Sequence, residues 1–254
     1  MKRKFVTIAA AALLAASVGL GMSLAYFHDS KTVTNEFTSA GNNDDGSGTG
    51  IGLEEPNWDP DNGSDILPGD VIPKDPTVTN LLGPSYVRFV VTVVDKDAGE
   101  VITDPARSAM IIKMLSYSDP VLTADDKISS AELESPDFVH INPEFALDAA
   151  KSGDGVYYYN FVGDGSGDNA AGGAIMPGAD AETGETVSKV LFNSVVVPTD
   201  WDQSDLLYSA PDPSADPPLA GSNGIGNFDI VVTAQAIQAQ NLTFATAFDA
   251  MDNR

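Results

Sequence analysis

Three features of the sequence predict an all-β fold. Several segments are rich in β-branched and aromatic residues, and Gly, Pro, Asn or Asp clusters punctuate them, while helical spacing is confined to short stretches. "IGLEEPNW", residues 51–58, reads as a short strand, and Val71 to Asn80 as a longer one. The clearest element is "SYVRFVVTVVDKD", residues 85–97. Its Phe89–Val94 run is too apolar for a strand with one wet face, so a central strand buried on both sides is expected. Gly155 to Val162, Thr186 to Val197 and Phe228 to Gln238 complete the strand set.

Three segments predict helices. Asp104-Pro105 before "ARSAMIIKML" supplies an N-cap and a first-turn proline. Asn142-Pro143-Glu144 before "FALDAAK" repeats that signal, and "TFATAFDAM" spaces Phe244, Ala247, Phe248 and Met251 along one face. These are short covers for a β core. The loops 41–50, 59–65, 163–173 and 209–224 are Gly, Asp, Asn and Pro with few apolar side chains to bury.

The chain opens with Met1-Lys2-Arg3-Lys4 and an apolar run to about Leu24, with small residues at Ser23 and Ala25. This pattern predicts a secretory signal over residues 1–25, cleaved after Ala25 or, as the next candidate, Tyr26. An uncleaved anchor is the alternative, since the run is nearly long enough to span a bilayer. The expected organisation is a signal at 1–25, a strand and tether at 26–41, and one β domain at 42–254.

Without the signal, 10 Lys+Arg face 37 Asp+Glu, a net charge of −27. Such a surface repels nucleic acid and anionic lipid and attracts divalent cations. The chain has no cysteine, so disulfides cannot stabilise it in an oxidising compartment. Thiolate catalysis and Cys-ligated zinc are excluded for the same reason.

Only His28 and His140 are present. No G-x-S-x-G elbow accompanies them, and "HINPE" offers just His140 and Glu144 where a zinc protease needs H-E-x-x-H. No catalytic residue is therefore assigned. Asp59, Asp61 and Asp65 in "WDPDNGSD", and Asp164 and Asp168 in "GDGSGDN", supply the hard oxygen donors that calcium prefers. Neither loop follows the EF-hand pattern, and Asp and Asn are also ordinary turn residues. Calcium is the one candidate ion, and no cofactor is required.

"LAYFHDSKTVTNEFTSA" begins a strand directly at the expected cut. Phe27, Val33 and Phe37 occupy odd positions against His28, Ser30, Thr32, Thr34, Glu36 and Thr38 at even ones, the period of a half-buried strand. "SAGNNDDGSGTG" follows as a tether. From these residues alone, the strand either pairs within its own subunit or completes the sheet of a neighbour.

Those N-terminal residues, with "EEPNWD" at 54–59, "LPGDVIPKDPTVTN" at 67–80, "TVSKVLFNSVVVP" at 186–198 and the closing "IVVTAQAIQAQNLTFATAFDAM", resemble the exported TasA and camelysin (CalY) family, processed by the dedicated signal peptidase SipW. The resemblance implies a jelly-roll-like β-sandwich. It also implies a secreted subunit of extracellular biofilm-matrix fibres, with the N-terminal strand donated to the next copy and an accessory anchor protein as a further partner. A camelysin-like metallopeptidase and a monomeric surface adhesin are the alternatives. No zinc motif carries over onto this sequence.

Overall fold

The computed structural model describes the backbone of residues 31–33 and residues 50–58, 66–81, 83–163, 173–180, 182–209, 222–239 and 242–252. In chain order the strands are β1 (Lys31–Val33), β2 (Ile51–Glu54), β3 (Val71–Pro73), β4 (Thr77–Asn80), β5 (Ser85–Asp95) and β6 (Glu100–Val101). Helix α1 (Pro105–Lys113) leads to β7 (Leu115–Ser116), and α2 (Ser130–Leu133) to β8 (Phe145–Leu147), β9 (Val156–Phe161), β10 (Val187–Val190) and β11 (Ser194–Val196). The rest comprises α3 (Gln203–Leu206), β12 (Tyr208–Ser209), β13 (Ser222–Asn223), β14 (Phe228–Gln238) and α4 (Phe244–Asp252).

The architecture is all-β. The largest sheet runs β1-β14-β5-β9-β8, with β6 also on β5, and β14 and β5 pair antiparallel along their full length from Phe228↔Asp95 to Gln238↔Ser85. Two three-stranded sheets, β10-β4-β2 and β3-β11-β7, and the β12-β13 pair complete it. One core joins all three larger sheets: Phe89, Val91, Val93, Ile230 and Val232 from the first pack in the same cluster as Leu53 and Val78 from the second, and Ile72 and Val195 from the third.

As expected, β5 is covered on both faces. Its second face carries Tyr86 and Arg88, which α4 covers. The Arg88 guanidinium lies 5.0 Å from the Tyr158 ring centre and 5.6 Å from that of Phe248, and it pairs with Asp252 at 2.7 Å. Lys151 pairs with the same carboxylate. Phe244 and Phe248 meet Tyr86 edge-on, so the 3–4 spacing of the final helix finds the face it was suited to.

The two long strands expected at 71–80 and 186–197 are each broken. Lys74-Asp75-Pro76 separates β3 from β4, and Leu191-Phe192-Asn193 separates β10 from β11. The breaks face each other: β4 pairs β10 and β3 pairs β11, while the Leu191 N–H reaches the Pro76 carbonyl at 3.0 Å. Pro76 has no N–H to continue a ladder, and the ribbon passes there from one sheet to the next.

The helix expected at "FALDAAK" is not formed. Residues 145–147 make β8 on the edge of β9. The Asn142 side chain does accept from the Glu144 N–H, at 3.0 Å, but it closes a turn rather than a helix. Phe145 meets Phe89 at 5.1 Å and Phe161 at 5.5 Å between ring centres, and this aromatic packing overrides the local start signal. By contrast α1 forms as predicted, with the Asp104 side chain accepting from the Arg107 N–H.

Gly155 has φ +80, and an added Cβ would stand 2.4 Å from the Ile102 carbonyl oxygen. Only glycine fits this turn into β9. Arg107 ties the end of β5 to the approach to β14: it pairs with Asp95 at 2.7 Å, donates Nε–H to the Ile225 carbonyl at 2.7 Å and lies 4.0 Å from the Tyr208 ring centre. Burial pushes the Asp95 carboxyl up. The Arg107 hydrogen bond and charge and the Ala98 and Asp97 N–H groups outweigh it, and the net shift is downward. A carboxylate with a depressed folded pKa stabilises above its unfolded pKa and loses that contribution as pH falls through the folded value. The thermal midpoint is therefore expected to drop below about pH 4, and Asp95→Asn should flatten that part of the curve.

Candidate functional site

The first candidate is the edge of the large sheet. β1 lies parallel to β14 with Lys31↔Val232, Thr32↔Thr233 and Val33↔Ala234. β14 is eleven residues long and fully paired to β5 on its other side. Among the described residues, only these three positions of β1 pair along its outer edge. Ala234, opposite Val33, is fully buried, as is Val232 to within 1 %. Of the predicted strand residues, Val33 holds a register position on β14, while Phe27, His28 and Phe37 lie outside the described residues, as do the cleavage candidates Ala25 and Tyr26.

The second candidate lies inside the molecule. Glu55 follows β2, Lys74 follows β3, and the Lys74 Nζ sits 2.7 Å from Glu55 Oε1 with both side chains at most 3 % exposed. The Trp58 ring centre is 4.8 Å from the same ammonium. The next residue, Asp75, holds the turn in place by accepting from the Asn57 backbone N–H at 2.9 Å and side-chain Nδ2 at 2.7 Å. Asp229, on β14, is 1 % exposed, and neither of its carboxylate oxygens accepts a hydrogen bond. Burial pushes its pKa up to about 6, against the opposing pull of Lys96 and Lys74. The interior thus holds a buried Lys74–Glu55 ion pair and, on β14, a buried carboxyl held toward its neutral form by burial.

Reasoning from sequence missed these buried charges. Their signals were a charged residue inside the apolar run "FDIVV" and a lysine at the break between two apolar segments.

The candidate calcium residues Asp59, Asp61, Asp65, Asp164 and Asp168 lie outside the described residues. Among the described residues no three His, Asp or Glu side chains gather in a metal-binding group. His140 Nδ1 lies 3.0 Å from the Leu115 carbonyl oxygen and its ring 5.0 Å from that of Phe138, whereas Glu144 pairs with Lys189. The two residues of "HINPE" serve different contacts. Two open hollows of about 420 and 410 Å³ flank residues 128–138, one beside Met110 and Trp201, the other beside Tyr117 and Phe138. Neither is lined by histidine.

No helix of the described residues is long and apolar enough to cross a membrane. Comparison with protein-family models, curated proteins and solved structures finds no match.

Proposed function

We propose that this chain is an exported structural subunit that polymerises into extracellular fibres of the biofilm-matrix type, by donating its N-terminal strand to the next copy. The observation that carries this reading is the outer edge of β14: eleven residues, of which β1 pairs three. A long strand edge is a template for pairing with another chain unless something covers it. The segment that pairs with it here comes from the N-terminus, ahead of the Gly- and Asp-rich stretch that begins at Ala40-Gly41. A segment on such a tether can complete its own sheet or that of a neighbour with the same hydrogen bonds. The resemblance to the TasA and camelysin family favours the neighbour and a jelly-roll-like sandwich, with SipW-type processing and an anchor protein as partners.

Electron microscopy of the purified processed protein tests the proposal. Filaments of uniform, subunit-wide diameter are expected. Monodisperse particles at every concentration, without filaments, would refute polymerisation and leave the adhesin reading.

Charge governs how such fibres associate. At −27 per processed subunit, lateral packing works against repulsion that salt screens over about 10 Å at 0.1 M. Bundling is expected to rise with ionic strength and further with millimolar calcium, and chelation should reverse the calcium part. Equal bundling in chelator and in calcium would remove the ion-binding role of Asp59, Asp61 and Asp65.

A further inference from the structure

We propose that His28 of the N-terminal strand pairs with the buried carboxylate of Asp229 when that strand docks on β14, and that this ion pair sets the register of docking. The β1–β14 ladder is parallel, with Lys31↔Val232, Thr32↔Thr233 and Val33↔Ala234. Carried three residues toward the N-terminus at the same offset, it brings Ser30 to Val231, Asp29 to Ile230 and His28 to Asp229. Such partners lie on adjacent strands about 4.8 Å apart. Phe228, Ile230 and Val232 supply the main core, so the alternation of β14 sends Asp229 and Val231 to the other face of the sheet, where Val94 of β5 stands across from Asp229. Asp229 is 1 % exposed, and neither of its oxygens accepts a hydrogen bond. Buried polar groups are almost always paired, and an orphaned carboxyl asks for an explanation. This one sits on the strand whose outer edge receives β1, where a donor on the docking strand can reach it.

Histidine is the residue on the strand that suits this position. By the same register the face of Asp229 receives the even-numbered residues His28, Ser30, Thr32, Thr34, Glu36 and Thr38, and of these His28 alone can carry a positive charge. Burial holds Asp229 toward its neutral form. Lys96 and Lys74 pull the other way, yet neither donates a hydrogen bond to it. An imidazolium alongside replaces the orphaned acid with a charge-assisted hydrogen bond. The pair also resolves an ambiguity that the apolar pattern leaves. A slip of one residue turns Phe27, Val33 and Phe37 to the wrong face. A slip of two keeps every face correct, so alternation does not prevent it. It sets Tyr26 or Ser30 beside Asp229 instead and leaves the buried acid without a cation, which penalises both registers. The expected cut after Ala25 or Tyr26 keeps His28 on the processed strand.

Supply of the histidine by a neighbouring copy rests on the function proposed above, whereas the pair holds for either source of the strand. Disulfide trapping in this cysteine-free chain separates the two. In the processed protein, oxidised under assembly conditions, His28→Cys with Asp229→Cys should link, because adjacent in-register Cα atoms lie within the span of a disulfide. Val33→Cys with Ala234→Cys, a register pair of the structure, is the positive control, and Ser30→Cys with Asp229→Cys reports a slip of two. A ladder of covalent oligomers on a denaturing gel supports the pair and donation together. A link confined to single chains supports the pair and refutes donation. No link between positions 28 and 229, or a preferred link between 30 and 229, overturns the pair. In filament-forming protein, His28→Gln should raise the concentration needed for assembly by roughly 10-fold, and should add little once Asp229→Asn is present. An equal effect of His28→Gln in both backgrounds would also overturn it.

Discussion

Replacing Val33 and Phe37 together with Asp is expected to leave a folded subunit that no longer forms fibres. Val33 holds the register position of Ala234, which is fully buried, and Phe37 continues the same odd-numbered apolar set. Burying a Val or Phe side chain stabilises by about 1.5–3 kcal/mol, while a carboxylate placed at such a position without a partner costs several kcal/mol. The long β5–β14 ladder does not need β1 to form, since its register rests on eleven pairs of its own. Light scattering and electron microscopy should show monomers, circular dichroism should keep its β signature, and an added peptide of residues 26–40 should bind the variant. If the strand instead serves only its own subunit, the double variant would melt earlier with no specific loss of polymer. Fibres of normal length from it would sink strand donation.

The largest loss of stability is expected from Phe89→Ala. Phe89 is fully buried in β5 between Ala234 on β14 and Tyr159 on β9, and its ring meets that of Phe145 edge-on at 5.1 Å. Truncating a buried Phe removes its transfer free energy and leaves a cavity that rigid neighbouring strands cannot close, about 3–5 kcal/mol in all. Leu147→Ala is the matched control: it lies on β8 of the same sheet, beyond β9, but is 48 % exposed, and a change of about 0.5 kcal/mol or less is expected. Denaturant unfolding of the two variants measures the difference. A Phe89→Ala cost near that of the control would mean that the core is not centred on this sheet.

The sequence by itself determined the fold class and the strongest elements. β5 and β14 occupy almost the segments their apolar runs mark, and α1 and α4 start and face as their caps and 3–4 spacing require. Such features are local: periodicity, capping and β-branched content act over a few residues and leave their mark in the order of the chain. Tertiary structure decided the rest. It made "FALDAAK" an edge strand, because aromatic partners for Phe145 at positions 89 and 161 outweigh a local start signal. It split two apparent strands where Pro76 and Asn193 let the ribbon change sheets. It also brought Glu55 and Lys74 into a buried ion pair at 2.7 Å. Nothing within a few residues of either one encodes the other, since their meeting depends on how separate sheets come together.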